Sequence, residues 1–428
     1  MIKALELSAQ TIEFWTDLVS REPDAAIDRL QADFQEIEPK LHAFTSEDNR
    51  FDRLRVEASD LSSRTQETRR LFGVPLGVKD IFHVDGLETR AGSTLPTETL
   101  RGAEAESVTV LKQAGALVVG KTVSTEFAYF HPGPTRNPQD LDHTPGGSSS
   151  GSAAAVAAGL CAVALGTQTI GSISRPASFC GVVGFKPSYD RVSTAGVIPL
   201  SKSLDQVGTF SSTTRDAKTL AALLCRQWTR RDVTEQPKLG LPEGPLFERA
   251  SREAQDHFAQ TCKRLQERGY QLRAVSAFGD LDEIVETHYT IVAAEAARFH
   301  HQWFARYGDH YHETTRELID RGAAVSDEEL SAKRSSLLRL RRELTESMDR
   351  SDVDLWLSPA ATGPAPLGLK STGDPIMSLP WTHAGLPTLA LPSGAGKSGL
   401  PIGLQITAGW WQDEALLDWG LALEEALR

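Results

Sequence analysis

Between residues 146 and 177 two glycine turns, each carrying serine, are joined by a run made almost wholly of alanine. The first turn reads Gly146-Gly-Ser148-Ser149-Ser150-Gly151-Ser152 and opens the run Ala153-Ala-Ala-Val-Ala-Ala158. The second reads Gly166-Thr-Gln-Thr-Ile-Gly171-Ser172, followed by Ile-Ser-Arg-Pro176. A helix of such small side chains permits close backbone packing, which lets the turns approach although Ser148 and Ser172 are 24 residues apart. Taken alone, serine-rich glycine turns are ordinary chain reversals. Chemistry has to be argued from what surrounds them.

The surroundings point to α/β layers. Short β-like runs at 74–78, 117–119 and 182–185 alternate with helical ones at 107–114 and 152–158, the pattern of strands and helices packed in layers. The first 70 residues read as helices: Ile12, Trp15, Leu18 and Val19 recur at helical spacing with Ser8 as the expected cap, Ala25, Leu30 and Phe34 mark a second helix, and 47–70 a more polar third. Residues 216–350 are charged and helical, with one strand-like piece at 270–275; residues 351–428 carry Pro- and Gly-rich apolar runs and a terminal helix. No repeat or flexible linker interrupts this, so the expectation is one domain over 1–428, with the core in 71–215 and 351–428. At 428 residues the chain can bury a large core without disulfides or metals.

A net charge of −12 without a basic stripe argues against direct nucleic-acid binding, which needs clustered Lys and Arg. Arg339, Arg341 and Arg342 alternate with Glu343 and Glu346 as on a solvated helix face. Cys161, Cys180, Cys225 and Cys262 form no CxxC pair, which fits a reduced, cytoplasmic protein. The first 15 residues lack a signal-peptide pattern, and the small apolar run 153–166 is too short and Gly-rich to span a bilayer.

Two motif matches fail on context. Gly115-Ala-Leu-Val-Val-Gly120-Lys121-Thr122 fits the phosphate-loop expression, but its strand-like run lies between the glycines and the helix comes before rather than after. Gly147-Ser-Ser149-Ser-Gly151 fits the nucleophile elbow of esterases, with His383 as a later histidine, but a loop precedes it where a strand is required.

The informative residue is Lys79, set inside the apolar run Leu71-Phe-Gly-Val-Pro75-Leu-Gly-Val78-Lys79-Asp80-Ile-Phe82. A lysine at a strand end ordinarily snorkels to water. A desolvated one loses its ammonium form and becomes a base near neutral pH.

With Lys79 placed beside the two serine turns, the chain resembles the amidase signature family over roughly residues 70–215 and 350–425. The resemblance is carried by Gly73-Val-Pro-Leu-Gly-Val-Lys-Asp80, Thr89, Gly92-Ser93, Ala114-Gly-Ala, Gly120-Lys-Thr, Glu126-Phe127, Arg136-Asn-Pro, Pro145-Gly-Gly-Ser-Ser, Phe179-Cys-Gly-Val-Val-Gly-Phe-Lys-Pro187, Ser203-Leu-Asp-Gln-Val-Gly208, Gly385-Leu-Pro and Gly399-Leu-Pro-Ile-Gly-Leu-Gln405. It implies a single α/β/α sandwich on a mixed, mostly parallel central sheet.

It also implies a Ser–Ser–Lys triad. Lys79 falls on the catalytic lysine, Ser148 on the bridging serine at a non-proline cis peptide bond, and Ser172 on the nucleophile; Ser149 and Ser150 read as structural. Neutral Lys79 would take a proton from Ser148, which takes one from Ser172 as its Oγ attacks the amide carbonyl. Backbone N–H groups of Thr169, Ile170, Gly171 and Ser172 would form the oxyanion hole, each such donor being worth about 3 kcal/mol in comparable acyl transfer. Protonated Lys79 then serves the leaving amine through Ser148, and water cleaves the acyl-enzyme. No metal or cofactor is required. Tyr129, Phe130, Trp381 and His383 fall in stretches that line the family's substrate cleft, although aromatics there serve the core equally well. Asp205 reads as structural, bonding backbone near the triad.

Three positions depart from the family's usual Thr-Asp-Thr-Gly-Gly-Ser and the arginine two places after it. Gln168 removes a carboxylate, Ile170 puts a β-branched side chain where positive φ would be strained, and Ser174 stands where arginine is usual, with Arg175 one place later. A tighter acyl pocket is the expectation.

The sequence thus reads as a serine amidohydrolase acting on a carboxamide or related C–N bond of a small molecule. Within the fold the alternatives are the glutaminase subunit of a tRNA-dependent amidotransferase, which alone would require partner subunits, and a hydrolase of urea-like (allophanate or carboxybiuret type) substrates. The departures at Gln168, Ile170 and Ser174 speak against the glutaminase. A homodimer is compatible with either. Outside catalysis, the alternative is a non-catalytic binding protein, against which the intact Lys79, Ser148 and Ser172 speak. His300, His301, His310 and His312 beside Glu313 match no metal pattern and read as helix-surface residues.

Overall fold

A computed structural model describes residues 11–62, 70–231, 233 and 235–428. Among these residues ten strands form one sheet: β1 (Pro75–Lys79), β2 (Leu117–Thr122), β3 (Val163–Gln168), β4 (Val183–Lys186), β5 (Gln206–Ser211), β6 (Leu239–Glu243), β7 (Leu272–Ser276), β8 (Leu355–Pro359), β9 (Thr388–Ala395) and β10 (Pro401–Ala408). Their spatial order is β2-β1-β3-β5-β4-β9-β10-β8-β6-β7. The sheet is mixed. Parallel ladders occupy its flanks (β2-β1-β3 and β8-β6-β7), and the strands between pair antiparallel. β1, β2 and β3 are buried at every position, as parallel strands covered on both faces require.

Among the described residues, fourteen α-helices flank the sheet. The first three are α1 (Ile12–Arg21), α2 (Pro23–Leu41) and α3 (Arg50–Ser62); then come α4 (Glu106–Gln113), α5 (Ser150–Ala157), α6 (Ser174–Cys180) and α7 (Thr214–Leu224). The charged segment supplies α8 (Pro245–Glu248), α9 (Arg252–Glu267), α10 (Leu281–Tyr307), α11 (Glu313–Ala323) and α12 (Asp327–Ser351), and the closing segment α13 (Leu379–His383) and α14 (Asp413–Leu427). The crossovers β1-α4-β2 and β2-α5-β3 step in opposite directions across the sheet. With right-handed connections they place α4 and α5 on opposite faces. α5 packs with α6 on one face; α4 packs with α7, and α7 with α14, on the other.

Several local expectations change. Thr11 caps α1 by accepting from Phe14 N, and the expected cap Ser8 lies outside the described residues. The third helix is α3; of the run 47–70, residues 63–69 lie outside the described residues. β3 carries Gly166 and two polar residues at its end, a composition that reads as a turn, yet it pairs along its whole length with β5. The described residues of 216–350 hold two strands rather than one, because β6 keeps its pairing to β7 and β8 despite Gly240 and Pro242.

The alanine run is the buried helix α5, enclosed from Ser150 to Val156. Its fit is tight. A Cβ added at Gly151 would lie 2.1 Å from Ala43 O and 2.4 Å from Val123 N. The carboxyl ends of the parallel neighbours β1 and β3 therefore sit beside the serine loop that opens α5, at the edge of the parallel flank.

Candidate active site

Lys79 is the last residue of β1 and is fully enclosed. Its Nζ lies 2.7 Å from Ser148 Oγ and 2.7 Å from Thr167 Oγ1, near the end of the neighbouring β3. Ser148 follows a cis peptide bond from Gly147, and its carbonyl accepts from Thr125 N at 3.1 Å. Ser149 does not face the site. Its Oγ is tied to Thr167 O at 3.2 Å and Thr167 N at 3.3 Å, pinning the serine loop to β3. Ser150 Oγ donates to Gly146 O at 2.7 Å. These two serines serve the loop, and no strand enters it, so the elbow arrangement is absent.

Ser172 sits on the loop that leaves β3 and enters α6. Gln168 shapes this loop. Its Oε1 accepts from Ile173 N at 2.7 Å and Ser174 N at 3.0 Å, and its Nε2 donates to Thr382 Oγ1 at 2.9 Å. An amide thus caps α6 and cross-links α13. Thr382 Oγ1 in turn lies 2.8 Å from Ile170 O. Thr169 Oγ1 donates to Asp205 Oδ1 at 2.5 Å, and Asp205 Oδ2 accepts from Leu200 N and Ser201 N. Held this way, neither Ile170 nor Gly171 adopts a positive φ, so the strain expected for a β-branched residue at 170 does not arise. Gly171 is needed for space: a Cβ there would come 2.9 Å from Pro375 Cβ. Arg175 bends back under the serine loop, donating to Gly147 O at 2.6 Å, Gly373 O at 2.8 Å and Thr372 Oγ1 at 3.1 Å.

Electrostatics favour a basic amine. Desolvation holds the Lys79 ammonium well below the ordinary lysine range, and the nearby Asp205 charge pulls it part of the way back. Asp205 is itself pushed up to about 6 by burial, opposed by its hydrogen bonds. Lys121, the lysine of the apparent phosphate loop, lies at the end of β2 and pairs with Asp80 at 2.8 Å. The strand fills the place of a phosphate cradle, so that reading lapses.

A family model described as Amidase matches residues 25–417. The protein belongs to the amidase signature family. Two similar curated proteins are glutamyl-tRNA(Gln) amidotransferase A subunits. That of Thermus thermophilus is 35% identical over 92% of this chain and 91% of its own, and that of Desulforapulum autotrophicum 33% over 86% of each. A crystal structure of an amidase superposes with a TM-score of 0.87 at 31% identity, covering 98% of this chain and 100% of that one. The α/β fold and C–N hydrolase chemistry of the family are therefore those of this protein.

Around this amidase core the expected substrate contacts separate. Tyr129 and Phe130 follow a turn in which Phe127 and Ala128 take φ of 46° and 61°. Both are half-buried, with ring centroids 4.6 Å apart, and Phe130 lies 6.3 Å from Tyr289 of α10. Tyr289 interacts electrostatically with Tyr129, Arg175 and Asp374, and its phenol is pushed up, chiefly by burial. Trp381 is a core residue instead: it is wholly enclosed, edge-on to Phe278 and tilted against Trp356. His383 is also buried and points behind the loop, with Nδ1 3.2 Å from His288 Nδ1 and Nε2 2.8 Å from Ser336 Oγ. His288 and Thr167 carry no sequence signal of their own; Thr167 becomes visible only once β3 is known to neighbour β1.

The histidines near 300 do not converge. His300 is buried rather than on a helix surface, 2.9 Å from Tyr311 Oη and packed on Phe127. His312 stacks on His131, and His310 bonds Thr94. Among the described residues no cluster of three His, Cys, Asp or Glu side chains is placed to hold a metal, and no helix is long and apolar enough to cross a membrane.

Proposed function

We propose that this amidase hydrolyses a small carboxamide through an acyl-enzyme on Ser172, with Ser148 as proton relay and Lys79 as general base. The observation that carries this reading is the enclosed Lys79 amine 2.7 Å from Ser148 Oγ, beside the strand that delivers Ser172. A neutral amine accepts the Ser148 hydrogen, Ser148 accepts that of Ser172, and Ser172 Oγ adds to the carbonyl. The N–H groups of Thr169, Ile170, Gly171 and Ser172 receive the developing oxyanion. Collapse expels the amine, protonated through Ser148, and water then releases the acid. Tyr129 and Phe130 serve as substrate contacts from one side of the cleft, Tyr289 from the other.

A second reading comes from the amidotransferase A subunits among the relatives: glutaminase activity within a larger complex. It requires partner subunits, and the Gln168-Thr-Ile170 sequence of the loop speaks against it. The two differ in whether the isolated chain turns over simple amides. Urea-like substrates belong in the same screen.

The test is intact mass after treatment with a fluorophosphonate serine probe, for wild type, Ser172→Ala, Ser149→Ala and Lys79→Ala. One adduct is expected, absent in Ser172→Ala, retained in Ser149→Ala and slowed in Lys79→Ala. An adduct lost only in Ser149→Ala would overturn the assignment. Labelling of Ser172 without turnover of any amide or urea, restored by partner subunits, would favour the amidotransferase reading.

A further inference from the structure

We propose that His288, oriented by His383, acts with Thr382 as a clamp behind the oxyanion loop that aims the Ile170 and Gly171 N–H groups at the reacting carbonyl. The proposal rests on Ser172 being the nucleophile. All three are positioning residues, without contact to substrate.

The argument begins with peptide geometry. A trans peptide unit is planar, and its C=O and N–H point in opposite directions. Thr169 O and Ile170 N belong to one unit, Ile170 O and Gly171 N to the next. His288 Nε2 lies 3.1 Å from Thr169 O, and Thr382 Oγ1 lies 2.8 Å from Ile170 O. Two consecutive carbonyls are thus held from the rear by side chains of α10 and α13, and their N–H partners face forward. Among the described residues, neither of those N–H groups donates elsewhere.

The hydrogens of the clamp can be assigned by elimination. A carbonyl oxygen only accepts, so His288 carries its hydrogen on Nε2 and a lone pair on Nδ1. That lone pair faces His383 Nδ1 at 3.2 Å, so His383 carries its hydrogen on Nδ1. His383 Nε2 then accepts from Ser336 Oγ at 2.8 Å, which turns the Ser336 hydrogen inward rather than toward Lys333 O at 2.7 Å. Each donor in the chain points toward Thr169. The chain needs both rings neutral. Burial lowers His288 well below the ordinary histidine range and His383 to about 4. Its outer end meets a cavity of about 220 Å³ lined by Thr287, Ser336, Arg339 and Glu343. The charged helical segment thereby reaches the rear of the catalytic loop.

The test compares His288→Phe, His288→Gln and Thr382→Val in the full chain, reading kcat, KM and fluorophosphonate stoichiometry with a small acyl 4-nitroanilide. Losing an aimed donor costs about 100-fold or more in kcat, so His288→Phe should fall by about that much with KM within about threefold and Ser172 still stoichiometrically labelled. His288→Gln, which keeps a donor, should recover about tenfold or more of the loss. A His288→Phe enzyme with kcat within about twofold of wild type, a loss confined to KM, or a Gln variant no better than Phe would each overturn the clamp. If His288→Phe does not fold, Thr382→Val decides: a kcat lowered about tenfold at unchanged KM supports the clamp, and an unchanged kcat overturns it. Absence of any Ser172 adduct in wild type would remove the nucleophile assignment, and the clamp with it.

Discussion

Ser148 Oγ and Thr167 Oγ1 both touch the Lys79 amine, each 2.7 Å from Nζ. A neutral amine has one lone pair and two hydrogens. If the lone pair receives the Ser148 hydrogen, an N–H is left for Thr167, which fixes the direction in which the base points. Thr167→Val keeps the shape and removes that acceptor. We expect kcat/KM to fall about tenfold, the equivalent of one hydrogen bond of about 1.4 kcal/mol, with Thr167→Ser near wild type. Equal rates for the two variants would mean that Ser148 alone orients the amine.

The pH profile should carry the signature of the buried base. Burial disfavours the ammonium, so Lys79 is neutral at pH values where a free lysine is charged, and activity is lost as pH falls through its depressed value. Asp205 opposes this shift. Asp205→Asn removes the negative charge, destabilises the ammonium further, and should move the acid limb of kcat/KM to lower pH. A limb that moves to higher pH in Asp205→Asn would contradict the assignment of that limb to Lys79.

Gln168 should matter for stability as well as turnover. Its Oε1 satisfies two buried N–H groups, Ile173 N and Ser174 N. Leaving a buried donor unpaired costs about 1–3 kcal/mol, so Gln168→Ala is expected to destabilise by about 2–4 kcal/mol, read as a lower urea midpoint at unchanged m. An unchanged midpoint would mean that the loop finds other acceptors.

Ile170 is buried on the loop without backbone strain, so its size can be altered without altering φ. If it narrows the acyl side of the cleft, Ile170→Ala should raise kcat/KM for bulky relative to small acyl groups. Pocket methylenes are worth about 10–200-fold in discrimination. Unchanged relative rates across an acyl series would place the restriction elsewhere, with Tyr129 and Tyr289 the next residues to vary.

What was legible in the sequence divides along physical lines. Lys79 announced itself because a charge inside an apolar strand is costly, and the two serine turns because small residues joined them. The α/β class followed from alternation of period. β3 was not legible: Gly166 and the polar Thr167 and Gln168 look like a turn, and only pairing with β1 and β5 makes them strand. Trp381 could not be told from a cleft aromatic, since burial against Phe278 and Trp356 leaves no local mark. His288 stands 119 residues from the carbonyl it holds, a relationship no spacing rule encodes.

The enclosed helix α5 has a consequence for how new specificities could arise. It begins within the loop of Ser148 and leads into β3, which delivers Ser172, and at Gly151 it has no room even for a methyl group. It behaves as a spacer of fixed gauge: lengthen or thicken it, and Ser148 and Ser172 fall out of register together. By contrast, α11 and α12 pack on α10, whose Tyr289 lies beside Phe130. A library aimed at new amides would randomise those helices and leave the gauge alone.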